Sequence, residues 1–345
     1  MYKLIEKRKD RYGFYVWEKY FSYLVKSKKA LLVVKNHQNE VLFTSEEMAI
    51  NQYAIIEDQV IYTGPENNVT KIYNLNTKKE FVVDTYFYGL NKLPQYIKSS
   101  IYYHIFDFVP NNQFLYNLNT NQIIPLSIGE IKGSFGINND THIVTVKEGW
   151  IYSYSKIDFS LLWQKDIGEM TQYRWLFGTI ERGNIRDIHE YKGDSVVVLT
   201  DIFIVRLNIN TGDILYLQRL PRGLISISII DNKAYGCYAS SYMEVDLDNG
   251  EVINYIEMDK LEYQGEKYDA EMGLNRLYAG YLYHGMRLEG GVFAIGAINI
   301  NTGIREWANV LGVHSVLEIQ FHQNRMYIAD SGRNLYIYEK SNTTL

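Results

Sequence analysis

The sequence predicts an all-β protein in which one four-stranded antiparallel sheet is repeated along the chain. Two observations lead to this prediction. A hairpin pattern, in which two alternating apolar strands flank a turn rich in Asn and Asp, recurs at intervals of 38 to 53 residues. In addition, no stretch of 12 or more residues shows a convincing 3.6-residue apolar period, which disfavours a sheet covered by helices.

The clearest hairpins have a turn that closes in Thr-Gly or Asn-Gly. They are residues 206–215 (RLNINTGDIL), 244–253 (EVDLDNGEVI) and 297–307 (AININTGIREW), and weaker copies lie at 72–81 and 115–124. Asn and Asp suit such turns because they tolerate positive φ, and Gly has no Cβ to clash there. Each copy is therefore expected to connect two neighbouring strands.

Eight turns mark the repeat, and each follows two further short apolar strands, such as residues 224–230 and 234–238. The turns fall at Gln38, Thr77, Thr120, Asp158, Thr211, Asn249, Thr302 and Ser341. Four short strands per period of about 40 residues are typical of the blades of a β-propeller. We therefore predict an eight-bladed propeller, with seven blades as the alternative because the first turn is the least like the others.

The two ends of the chain predict how the ring closes. The last repeat stops after residues 334–338 and lacks a fourth strand, and residues 2–8 precede the first repeat and can supply it. Pairing of the termini in one blade would remove open sheet edges. We accordingly predict a single domain over residues 1–345.

One segment carries a family resemblance. The string from Asn299 to Trp307, Asn-Ile-Asn-Thr-Gly followed by Trp four residues after the Gly, resembles the PQQ-like repeat of quinoprotein-dehydrogenase-like propellers and, more broadly, WD40-like repeats. Asp158 to Trp163 is similar with an altered turn. The resemblance implies a propeller in which this Trp packs between blades. In the other repeats the same position holds Phe43, Val82, Pro125, Tyr216 and Asn254.

Composition excludes several function classes. The net charge of -5 argues against a nucleic-acid partner. No apolar run approaches about 18 residues and no signal-peptide pattern opens the chain, so no membrane association and a cytoplasmic location are expected. Cys237 is the only cysteine and cannot form the cofactor-side disulfide found in many quinoproteins. We predict a monomer without a cofactor or bound metal, and we interpret Asp246 and Asp248 as turn residues.

Two candidate sites remain. In a propeller the first strand of each blade lines the central channel, so Arg186, His189, His314 and Glu318 are candidates for a channel cluster; the alternative is ordinary strand-end polar residues. Two repeats are also longer than the others, by insertions that follow a fourth strand. The first insertion contributes Tyr173, Arg174, Trp175 and Phe177, and the second, acidic one contributes Glu257, Asp259, Glu262, Tyr263, Glu266 and Tyr268. These residues are the predicted partner-binding set, because aromatic and Arg side chains dominate interfaces and loops carry binding.

The sequence thus favours a non-catalytic module that holds a protein partner through one face and the two insertions, in a specific form an immunity protein that neutralises a bacterial toxin. The alternative is a carbohydrate-active or lyase-type enzyme that binds a sugar or another small molecule in the channel. The 31 tyrosines favour neither. Most lie at alternating strand positions, where the ring packs and the hydroxyl is expected to reach water.

Overall fold

The computed structural model describes residues 2–26, 30–46, 48, 53–63, 69–83, 102–106, 113–117, 120, 122–126, 131–174, 178–238, 240–268, 270–288 and 290–340. The chain divides into two compact units. One comprises Met1–Lys7, Val146–Ser153 and Leu162–Leu345, and the other comprises Arg8–Thr145 and Tyr154–Leu161. The prediction of a single domain stays a prediction.

Strands form nearly all of the regular structure, beginning with β1 (Tyr2–Arg8). Sheet 1 contains β2 (Arg11–Val16), β3 (Tyr20–Lys26), β4 (Ala30–Asn36) and β5 (Val41–Thr44). Sheet 2 contains β6 (Tyr53–Ile56), β7 (Gln59–Thr63), β8 (Thr70–Asn74) and β9 (Glu80–Val83). Sheet 3 contains β10 (Tyr102–Phe106), β11 (Gln113–Asn117) and β12 (Gln122–Leu126).

The middle of the chain adds two four-stranded sheets and a short insertion between them. Sheet 4 contains β13 (Ser134–Asn138), β14 (His142–Lys147), β15 (Trp150–Ser155) and β16 (Leu161–Asp166). The insertion contains α1 (Ile167–Met170), β17 (Tyr173–Arg174) and β18 (Ile180–Glu181). Sheet 5 contains β19 (Ile185–Tyr191), β20 (Ser195–Thr200), β21 (Phe203–Asn208) and β22 (Ile214–Arg219).

The remaining chain repeats this arrangement. Sheet 6 contains β23 (Ser228–Ile230), β24 (Lys233–Tyr238), β25 (Ser241–Asp246) and β26 (Val252–Glu257), and a hairpin of β27 (Leu261–Tyr263) and β28 (Glu266–Tyr268) follows it. Sheet 7 contains β29 (Ala270–Tyr278), β30 (Tyr281–Leu288), β31 (Phe293–Asn299) and β32 (Ile304–Gly312). Sheet 8 contains β33 (Val316–His322), β34 (Arg325–Asp330) and β35 (Leu335–Lys340).

The sheet order confirms the predicted repeat. Within sheets 5, 6 and 7 the strands pair antiparallel with their neighbours in sequence, and the turns at Thr211, Asn249 and Thr302 join the third strand to the fourth. The predicted use of the N-terminal strand is also confirmed, because β1 hydrogen-bonds beside β35 as the fourth strand of sheet 8. In the described residues eight sheets have three or four strands, which agrees with the eight predicted repeats, and the two insertions add one two-stranded sheet each.

One predicted strand is wrong in its extent. The alternating run at 224–230 was expected to form a strand throughout, but β23 begins only at Ser228. The preceding backbone bonds to side chains of other sheets, since the Ile227 amide donates to Asp187 at 3.0 Å and the Ser226 carbonyl accepts from Asn275 at 3.0 Å. These bonds replace the ladder that would have continued the strand.

The apolar core lies between successive sheets. In the larger unit, Val197 and Ile204 of sheet 5 pack with Met243 and Val245 of sheet 6 in one buried cluster. Further clusters join sheet 6 to sheet 7 and sheet 7 to sheet 8. In the smaller unit the same role falls to a cluster that contains Leu32 and Tyr53, from sheets 1 and 2. Sheets 6 and 7 therefore each bury both faces against neighbouring sheets. No described helix is long and apolar enough to cross a membrane.

A recurring joint fastens the fourth strand of one sheet to the turn of the next. A Cβ on Gly212 would lie 2.7 Å from the ring of Trp163, whose Nε1 donates to the Ile209 carbonyl at 2.8 Å. A Cβ on Gly250 would lie 2.7 Å from the ring of Tyr216. Glycine is thus favoured at these turns for two reasons. The backbone has a positive φ, and the side chain of the preceding sheet leaves no room for a Cβ.

A third joint has the same form without an aromatic side chain. Here Ile256 of β26 lies against Gly303, where a Cβ would meet its Cδ1 at 2.2 Å. The docking position that the family resemblance implied is therefore used at two sheet boundaries, by Trp163 and Tyr216. At the third boundary the position holds Asn254, and Ile256, two residues further along β26, makes the close contact instead.

Several tyrosine hydroxyls bind protein atoms, which corrects the expectation that they reach water. Tyr336 donates to Asp330 at 2.9 Å, and the buried Tyr242 donates to Glu244 at 2.8 Å. The hydroxyl of Tyr338 accepts from Asn309 at 2.7 Å. The tyrosines thus satisfy carboxylates and amides that the tight packing of the sheets removes from solvent.

Candidate functional site

The first insertion, residues 167–183, is anchored at both ends. Asp166 caps α1 by accepting from the Glu169 amide at 3.0 Å, and Arg182 donates to Asp166 at 2.6 Å and to Glu169 at 3.0 Å. Arg182 therefore ties the exit of the insertion to its entry. The sequence places these charges 16 and 13 residues apart, so their pairing is visible only in the fold.

Three glycines allow the base of this insertion to approach the turn between β14 and β15. The amides of Ile167 and Gly168 both donate to the Gly149 carbonyl at 2.9 Å, and the Gly183 amide donates to the Gly168 carbonyl at 3.0 Å. A Cβ on Gly168 would lie 2.9 Å from the Gly183 carbonyl oxygen. The insertion is thus fixed to a rigid part of sheet 4.

Asp201 joins the first insertion to the first strand of sheet 5. Its carboxylate accepts from Arg186 Nε at 2.7 Å and from the Asn184 amide at 2.8 Å, and it also accepts from the Tyr173 hydroxyl. Burial and this carboxylate raise the pKa of Tyr173. The structure thereby brings together Tyr173, predicted to bind a partner, and Arg186, predicted to face a channel. Arg174 is exposed beside them, whereas Trp175 and Phe177 lie outside the described residues.

The second insertion forms the acidic hairpin, which we define as Leu261–Tyr268 together with the connection from Glu257. The side chains of Glu257, Asp259 and Glu262 are exposed. In contrast, Tyr263 and Leu261 are half-buried and pack with Val310 and other members of the cluster between sheets 6 and 7. Tyr263 therefore anchors the hairpin. Of the other predicted residues here, Glu266 and Tyr268 lie in β28, opposite Tyr263 and Leu261.

A groove runs beside the acidic hairpin. Its volume is about 480 Å³, and it is lined by Leu261–Tyr263 of β27 and Ala308–Gly312 of β32. Arg305, on the same strand β32, donates to the Asp259 carbonyl and so holds the hairpin against sheet 7. The groove has the size of many ligand sites.

The four channel candidates bind different partners. His189 Nε2 lies 2.8 Å from Asp187 Oδ2, and the same Asp187 oxygen accepts from the Ile227 amide. Glu318 accepts from Arg276 at 3.0 Å, which links the first strands of sheets 7 and 8. These contacts fasten successive first strands to each other.

The other two candidates are also placed by local packing. Arg186 is bound to Asp201. The ring of His314 packs against Gly332, where an added Cβ would lie 2.3 Å from His314 Cδ2. Among the residues that the structure describes, no three His, Cys, Asp or Glu side chains come together as metal ligands would. The turn interpretation of Asp246 and Asp248 agrees with their positions, because the Asp246 carboxylate accepts from the Asp248 amide at 2.7 Å.

Sequence reasoning missed a buried polar group between sheets 6 and 7. Asn275 Oδ1 lies 2.8 Å from Cys237 Sγ, and Asn275 Nδ2 donates to the Cys237 carbonyl at 3.2 Å. His284, opposite Asn275 in the ladder, is fully buried, and neither ring nitrogen has a hydrogen-bond partner among the residues that the structure describes. Desolvation and the nearby Arg305 lower the pKa of His284 to about 3. Nothing in the local sequence distinguishes these residues from other strand positions.

Comparison with solved structures identifies the architecture. BamB from Moraxella catarrhalis superposes with a TM-score of 0.65 at 9% identity, covering 98% of this chain and 100% of that one. The C-terminal WD40 domain of Sif2 gives 0.67 at 12% identity, covering 99% of each chain. The chain is a β-propeller. Sqt1 of Saccharomyces cerevisiae supports the same conclusion, with a TM-score of 0.65 at 11% identity over 99% of this chain and 98% of that one.

Comparison of sequences, unlike comparison of structures, finds no relative of this chain. No protein-family model matches the chain, and no curated protein matches it. At identities of 9% to 12% the structural likeness shows the fold of this propeller and leaves its partner open. The sheets of the propeller are therefore blades, and the two insertions distinguish it from a uniform repeat.

Proposed function

We propose that this propeller is a non-catalytic protein-binding module whose two insertions form the contact surface. The observation that carries the proposal is their common position: both follow the fourth strand of one blade and precede the first strand of the next. Both are also fixed to the blades, the first through Asp201 and Arg182 and the second through Arg305. Loops held on a rigid scaffold are the usual place for binding.

Charge gives the proposal a more specific form. Residues 254–271 contain six acidic residues and two lysines. An acidic surface of this kind suits a partner with a basic face, and electrostatic complementarity speeds association and selects partners. In this form the propeller acts in the cytoplasm as an immunity protein, in which the acidic hairpin covers the basic active site of a bacterial toxin.

The decisive experiment is affinity capture of the chain from its native cells, with mass spectrometry and stoichiometry of the captured proteins. We expect one stoichiometric partner, lost when Arg174→Glu and Glu257→Lys are combined. Glu251→Lys is the matched control, because Glu251 is an exposed acid in the turn of the same blade. Absence of a stoichiometric protein, or its retention by the double variant, would contradict the proposal. The immunity form further requires that the purified chain abolish the catalytic activity of its partner.

A second candidate function is supported by one contact. The His189–Asp187 pair on β19 has the arrangement in which a carboxylate orients an imidazole as a general base, and the His189 side chain is 30% exposed. An enzyme acting on carbohydrate, by hydrolysis or elimination, would use this pair. Sugar binding that His189→Ala abolishes, together with failure to capture a protein partner, would favour this alternative.

A further inference from the structure

Two unpaired strand edges border the groove beside the acidic hairpin. In the described sheets, β32 is the last strand of sheet 7 and β27 pairs only with β28. Such an edge presents backbone N–H and C=O groups that can accept another strand. The five residues Ala308–Gly312 that line the groove offer about 17 Å of extended edge, at about 3.4 Å per residue.

The part of the β32 edge that lines the groove carries no charged residue and no proline. Exposed edges are commonly guarded by charged residues or proline. The segment Trp307–Gly312 contains neither. The charged residues of β32, Arg305 and Glu306, lie at the start of the strand, before the residues that line the groove. An unguarded edge beside a formed groove is the arrangement expected where a strand is meant to dock.

Charge and shape indicate which strand fits. Of the described residues that line the groove, only Glu262 is charged, and its side chain is exposed within the acidic hairpin. Leu261, Tyr263 and Val310 supply an apolar floor. An added strand places alternate side chains on opposite faces, so apolar residues would meet the floor while basic residues meet the acidic side.

We propose that the groove between β27 and β32 binds an extended segment of a protein partner, with alternating basic and apolar residues, as an added β-strand. The inference rests on the proposed protein-binding function and assigns the part of the partner that the second insertion recognises. Main-chain hydrogen bonds to β32 supply the affinity, and Glu262 with the apolar floor supplies the selection.

The first experiment separates strand addition from charge attraction with three synthetic probes. These are a capped nine-residue peptide of alternating Lys and Val, the same peptide with alternate backbone nitrogens methylated, and an alternating Glu and Val peptide. We expect the Lys-Val peptide to slow amide hydrogen exchange in residues 304–312 of the full chain. We expect the other two to bind about tenfold more weakly or not at all. Equal binding of the methylated peptide, or protection elsewhere only, overturns the proposal.

The second experiment uses variants that leave the backbone in place. Glu262→Lys, a substitution at an exposed side chain, should lower the affinity for the Lys-Val peptide at least about fivefold, whereas Glu251→Lys should leave that affinity unchanged. Unchanged affinity in Glu262→Lys overturns the assignment. Failure of this inference is distinguishable from failure of the proposed function. If the native partner is captured equally by Glu262→Lys, the module binds its partner elsewhere; if no partner is captured although the peptide binds, the proposed function itself fails.

Discussion

Acid should destabilise this propeller through His284, well before its carboxylates protonate. The folded-state pKa of His284 is about 3, against an ordinary value of 6.5 for an imidazole exposed on unfolding. Because the folded-state value is the lower one, the unfolded chain binds the proton first as the pH falls. The contribution to stability is therefore complete above pH 6.5 and is lost progressively toward pH 3.

The size of the effect follows from the difference between the two pKa values. Each pH unit below 6.5 costs about 1.4 kcal/mol, so at pH 4.5 the free energy of unfolding should have fallen by about 2.7 kcal/mol. Among the described residues Arg305 is the charged group that lowers the pKa of His284, and it also acts on the buried Cys237 thiol. Burial raises the pKa of the Cys237 thiol, so that this group stays neutral throughout the window.

Urea unfolding monitored by tryptophan fluorescence at pH 7.5, 5.5 and 4.5 tests this reasoning on the wild type and on His284→Leu. The variant should be nearly as stable as the wild type at pH 7.5, because the imidazole makes no hydrogen bond, and it should lose less stability on acidification. His314→Ala, at an exposed histidine, should retain the wild-type pH dependence. Parallel pH profiles for wild type and His284→Leu would refute the argument.

Three further predictions concern the joints and the insertion. Gly212→Ala should lower the free energy of unfolding by about 1–3 kcal/mol more than Gly280→Ala, since both glycines have positive φ but only the first has the Trp163 ring 2.7 Å from the new Cβ; thermal unfolding measures the difference. Tyr242→Phe should cost about 1–3 kcal/mol in urea unfolding, because its buried carboxylate acceptor loses a donor at 2.8 Å, and an unchanged midpoint would contradict this. Asp201→Asn should accelerate amide exchange in residues 167–183 while leaving sheet 7 unaffected; uniform acceleration would show a global effect instead.

The repeat could be predicted from the sequence because its determinants are local. The Thr-Gly and Asn-Gly turns favour hairpins, and short apolar or alternating runs on either side of them favour strands. The turns at Thr211, Asn249 and Thr302 and the role of the N-terminal strand were therefore correct. The start of β23 was not, because side chains of Asp187 and Asn275 take the backbone partners of residues 226 and 227.

The contacts of the candidate site could not be predicted in the same way. Asp201 lies 28 residues from Tyr173, and Asn275 lies 38 residues from Cys237, with no local signal for either pairing. The insertions themselves were visible as unequal spacing. The first insertion is anchored through Arg182 and through Asp201 of sheet 5, and the second through Arg305 of sheet 7. Spacing thus located the insertions, and only the fold could say which of their side chains are packed and which are exposed.

The joint between blades has a direction. The fourth strand of one blade supplies the bulky side chain, as Trp163 and Tyr216 do, and the turn of the following blade supplies the glycine that receives it. Sheets 5 and 6 each carry a glycine for the preceding blade and a bulky side chain, Tyr216 or Ile256, for the following one. Duplicating a whole blade would preserve every match, whereas exchanging single strands between blades would break two at once. The joints are therefore compatible with the addition or loss of whole blades, and every joint points in the same direction along the chain.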